Sequence, residues 1–161
     1  MLRRIIAFVV AAAVLIVLGS YAHSYFVQQA WSTAAGHADG TGPAAIALSD
    51  RVSWAAHDLV GMIRSYGAVT SIALLVALLA AGATARFSGR RILVFGIAGA
   101  LAMLVLFTLL KRVLGTVGIF GARGAIGLTA QMAAGLCAGV VFAWLTRAQS
   151  ERLTNGSGAA G

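Results

Sequence analysis

Few residues in this chain carry reactive groups, and they are densest between positions 50 and 64. His57 and Asp58 are neighbours and would be the raw material for an acid–base pair. Adjacent helix residues point about 100° apart, so the two do not pair by default. With Arg64 they would sit at headgroup level, where an enzyme acting on a lipid or quinone would need them. A candidate contact surface is also present: Asp50, Trp54, His57 and Gly61 fall on one helical stripe, with Asp58 and Arg64 nearby. A tryptophan on a polar face is a frequent contact residue. The plainer alternative has Trp54 reaching lipid headgroups.

The remaining candidates are scattered. A metal site from His23, His37 and His57 would require the intervening loop to fold back, so no metal is expected. No cofactor is expected either. Gly19 and His23 are spaced as in the small-x-x-x-His pattern, which loosely resembles that of bacterial antenna polypeptides, but an interfacial hydrogen-bonding role for His23 is preferred. The single cysteine, Cys137, excludes an intrachain disulfide and reads as a small buried hydrophobe. The chain lacks the acid inside a span that proton-coupled transporters use.

The elements that must position these residues follow from composition. Of the 161 residues, 60% are hydrophobic and only 10% charged, too few to cover a soluble domain. Four runs are long and apolar enough to cross about 30 Å of hydrocarbon: 5–26, 66–85, 92–110 and 124–145. The fold expected is an all-α four-transmembrane-helix bundle, one membrane domain over 1–153, with a disordered tail over 154–161. The net charge of +8 is dispersed between the apolar runs and forms no stripe interleaved with stacking aromatics, so no nucleic acid is expected as a partner.

Charge sets the expected orientation. With the amino terminus inside, Arg3, Arg4, Arg86, Arg90, Arg91, Arg147 and Arg152 are cytoplasmic. Arg51, Arg64, Lys111, Arg112 and Arg123 are outside. Both termini are then cytoplasmic. Tyr21, Tyr25, Trp31, Trp54 and Tyr66 fall near the outer interface, and Phe87 and Trp144 near the inner one. The first span reads as an uncleaved anchor, with Ser20-Tyr21-Ala22 as the alternative cleavage site. Eleven of the twelve basic residues are arginine, in a background rich in alanine and glycine. That suggests a GC-rich bacterial genome and hence the inner (plasma) membrane.

Between the first two spans, 32–42 reads as a flexible loop. The stretch 48–64 separates cleanly on a helical wheel. Leu48, Val52, Ala55, Ala56, Leu59, Val60, Met62 and Ile63 occupy one half, opposite the polar stripe. Ser49 is the expected N-cap. An amphipathic helix lying on the outer membrane surface, or across the tops of the spans, is predicted.

Glycines mark the second half. Gly115, Gly118, Gly121, Gly124 and Gly127 recur every third residue, and 115–123 reads as a tight turn or a re-entrant segment. Gly127, Gln131, Gly135 and Gly139 recur every fourth. They form a helix-packing face onto which Gly96 and Gly99 can close, with packing inside one chain preferred to dimerisation. The expected partners are the lipid bilayer, and other membrane subunits or a second copy. Two functions follow: a non-enzymatic accessory or assembly subunit of a membrane complex, or a small homo-oligomeric channel or carrier.

Overall fold

The computed structural model describes residues 2–39, 46–115 and 124–157, all of it helix and short connections. Helix α1 runs over Leu2–Asp39, α2 over Leu48–Met62, α3 over Ala68–Ser88, α4 over Arg91–Leu114 and α5 over Ala125–Ser157. A π-helical turn, Ile63–Gly67, joins α2 to α3. Four of the helices, α1, α3, α4 and α5, are long and apolar enough to cross a membrane. The protein is therefore a multi-pass membrane protein.

Three segments differ from the sequence expectation. Helix α1 does not stop near Phe26 but continues through the expected loop to Asp39. Two polar residues of the extension bond within the helix: the Thr33 hydroxyl donates to Gln29 O at 2.9 Å, and His37 Nδ1 lies 2.7 Å from Thr33 O. Alanines at 34, 35 and 38 favour helix as well. Helix α5 extends to Ser157, into the stretch expected to be a disordered tail, while 158–161 lie outside the described residues. The N-cap of α2 is Ala47, not Ser49, and no side chain caps it. Of the glycine-rich 115–123 stretch, only Gly115 is described. It ends α4 in the left-handed conformation (φ 68°) that glycine adopts without a Cβ clash.

Helix α5 packs between α1 and α4, and α4 packs on α3. Gly89, also left-handed (φ 62°), makes the tight connection that folds α4 back along α3. The closest contact is between α4 and α5. A Cβ on Gly99 would collide with Gly135 O, one on Gly135 with Gly99 O, and one on Gly139 with Phe95 O. Backbones approach this closely only where at least one of the facing residues lacks a side chain. Around this seam Leu15, Leu74 and Met103 are fully buried, with Phe95 and Phe107 beside them. Most of the buried side chains form one apolar cluster shared by the spanning helices.

One end of the bundle gathers arginines. Arg91 at the start of α4 donates from Nη2 to Thr146 Oγ1 of α5 at 2.7 Å. Arg4 of α1 is near enough for its charge to act on Arg91. The start of α1, the start of α4 and the far part of α5 therefore share this arginine end. The opposite end carries the hairpin of α1 and α2.

Candidate functional site

The hairpin is built from the second half of α1 and from α2. The order of contacts shows that they run antiparallel. Gln28 Nε2 donates to Arg51 O at 3.1 Å, Asp58 acts on the half-buried His23, Gly67 packs on Ile16, and Tyr66 meets Gly19. As the chain climbs α1 it descends α2. Helix α2 thus stands beside α1 and leads through the π turn into α3. The expectation of a helix lying on the membrane surface or across the span tops finds no support in these contacts. The wheel separates two faces but does not say which edge meets a neighbour. Here the boundary between the faces, Trp54, Ala55, Asp58 and Met62, turns towards α1.

A polar seam runs up α1 in steps of four: Ser20, Ser24, Gln28 and Ser32 are all buried. Residues four apart share a helix face, so this seam is continuous. Gln28 ties it to α2, donating to Ser24 Oγ at 3.0 Å as well as to Arg51 O. Between the seam and α2 lies a groove of about 490 Å³, with Ser20, Ser24 and Gln28 on its polar side and Val52, Ala56 and Leu59 on its apolar side. Ser20 Oγ is buried there without a hydrogen-bond partner among the described residues.

At the base of the hairpin three helices are tied by one polar node. Tyr66 donates its hydroxyl to Gln131 Oε1 at 2.6 Å, and Gln131 Nε2 donates to Gly19 O at 3.0 Å. Gly19 must be glycine, because a Cβ there would collide with the Tyr66 hydroxyl. The π turn carries Tyr66 into this position. Such a turn disturbs the regular carbonyl pairing, and the Thr70 hydroxyl compensates by donating to Tyr66 O at 2.7 Å. Tyr66 is therefore a buried polar link, not an interfacial belt residue as its sequence position suggests.

The sequence candidates are distributed as follows. Trp54 packs edge-to-face on Trp31, with ring centroids 5.5 Å apart. Trp54, His57 and Asp58 line one shallow pocket with Val27 and Gln28, whereas Asp50 is exposed and does not line it. Asp58 is half-buried towards His23, and Arg64 is exposed at the edge of the π turn. On α5, Gly127 and Gln131 are buried, and Gly135 and Gly139 meet α4. Cys137 is exposed on the outside of α5, not buried as expected, because it lies off the Gly135–Gly139 face. No three of His, Cys, Asp and Glu come together as metal ligands among the described residues.

Sequence reasoning missed Gln28, which lies just beyond the expected end of the first span at residue 26. It also missed Arg91 and Thr146, a pair that becomes visible only once α4 and α5 are placed side by side. The chain matches no known family, and no curated protein or solved structure is significantly similar to it.

Proposed function

We propose that the protein is a non-enzymatic accessory or assembly subunit of a membrane complex, and that it engages its partner through the α1–α2 hairpin. The observation that carries this is the apolar half of α2. Helix α2 buries no residue, and Leu48, Val52 and Val60 are 77%, 62% and 71% exposed. A bilayer seated on the arginine end covers about 20 residues of α1, roughly to Ser24. The rest of α1 and the part of α2 before His57, with Leu48 and Val52, then stand beyond the hydrocarbon, where an exposed apolar stripe marks an interaction surface. The partner is another membrane protein offering an apolar face outside the bilayer. The arginine end faces the cytoplasm by the positive-inside rule, and the composition suggests a bacterial inner membrane.

The second reading, a homo-oligomeric channel or carrier, draws on the glycine run, Gln131 and Arg123. Both amide atoms of Gln131 are bonded inside the chain, which leaves that reading without its polar lining residue. A lipid- or quinone-directed enzyme would need His57, Asp58 and Arg64 to converge. His57 and Asp58 share a pocket whose lining does not include Arg64.

A photo-crosslinking residue placed at Leu48 or Val52 in native membranes tests the proposal. A discrete adduct with a second membrane protein is expected at these positions, and none from Ala83 or Thr84 on exposed α3. Adducts only with lipid, or only with another copy of this chain, would contradict it.

A further inference from the structure

The arginine end holds a second groove, on the opposite end of the molecule from the hairpin. It has a volume of about 650 Å³ and lies between the start of α4 and the facing part of α5. Its walls divide by chemistry along its length. Towards the bundle centre it is lined by Ile92, Leu93, Ile97, Leu136 and Val140. At the arginine end it is lined by Arg90, Arg91 and Arg147. The floor is Gly96, where a Cβ would come within 3.1 Å of the Val140 side chain, so the absent side chain gives the groove its depth.

The three arginines sit where the membrane-spanning stretches of α4 and α5 end, which is headgroup level. Arg91 is held in place by Thr146 and by the Phe95 ring, whose centroid is 5.1 Å from its guanidinium carbon. Its Nε is buried and has no hydrogen-bond partner among the described residues. Arg4 adds a further positive charge close by. Of the four acids in the sequence, Asp39, Asp50 and Asp58 belong to the hairpin, which leaves only Glu151 at this end.

We propose that this groove is a binding site for an anionic phospholipid. One acyl chain lies along Ile97, Leu136 and Val140, and the phosphate is held among Arg90, Arg91 and Arg147. Basic pockets between transmembrane helices recognise anionic headgroups by charge, and the apolar groove selects a lipid over free phosphate. This inference does not depend on what the hairpin binds.

Delipidated full-length protein in a neutral detergent, titrated with phosphatidylglycerol or with phosphatidylcholine of the same chains and followed by native mass spectrometry, tests it. One phosphatidylglycerol should bind about tenfold more tightly than phosphatidylcholine. The Arg90→Gln/Arg147→Gln variant should lose that preference. Ile97→Trp, at an exposed position where a larger side chain fills the groove without entering the core, should weaken phosphatidylglycerol binding with every arginine intact. Helix content and thermal unfolding check that both variants are folded. Equal binding of the two lipids, or a preference kept in the arginine variant, would overturn the site. So would undiminished lipid binding by Ile97→Trp, or inorganic phosphate competing as strongly as the lipid, since each would show charge acting without the groove.

Discussion

The α4–α5 pair and the α1–α2 pair are both antiparallel helix contacts, and they are built in opposite ways. In the first, glycines bring two backbones together beside the apolar core. In the second, serines and a glutamine face a groove, and the second helix buries nothing completely. Lipid tails are as apolar as leucine, so helices within a bilayer gain by close van der Waals packing. Beyond the bilayer, water returns the hydrophobic effect, and an apolar stripe left uncovered there has a reason to find a partner. The first contact completes the fold of the chain, and the second leaves a surface for use.

Substitutions should separate the two regions. The largest effect is expected from Gly99→Leu or Gly135→Leu, which drives a side chain into the opposing backbone and should cost about 3 kcal/mol or prevent folding. Unfolding in mixed micelles measures this, and near-wild-type stability would show that the helices can part without loss. Next comes Gln131→Leu, which removes both node bonds and leaves the Tyr66 hydroxyl without its acceptor. A loss of about 1–2 kcal/mol is expected. Tyr66→Phe should cost less, and the double variant should cost little more than Gln131→Leu alone, since both act on one bond. Smallest is the hairpin: Trp31→Ala and Trp54→Ala should show a coupling of about 1 kcal/mol in a double-mutant cycle. That coupling should leave the unfolding of the α4–α5 region unchanged. A fall in α4–α5 protection from hydrogen exchange in the tryptophan variants would mean that the two regions are not separable.

The spans were legible because sustained apolar runs have few other uses, and the spacing of Gly135 and Gly139 pointed to a close helix contact. What stayed hidden depended on neighbours. The steps of four at Ser20, Ser24, Gln28 and Ser32 are present in the sequence. Their role becomes visible only when α1 runs on past residue 26 and α2 stands beside it. Tyr66 looked like an interfacial aromatic because nothing local announces a π turn. Trp54 looked like a free contact residue because its packing partner, Trp31, is 23 positions away in a stretch just before the expected loop. The stance of α2 could not be read from its wheel, since a helix lying on a membrane and one standing beside another helix separate their residues alike.

The native mass of the protein, extracted gently from its own membrane, tests the central claim most directly. A stoichiometric complex with a different membrane protein is expected for the wild type, and its loss with retained fold is expected for Leu48→Asp/Val52→Asp. A wild-type monomer, or an assembly of this chain alone, would contradict the assignment of the hairpin to a partner subunit.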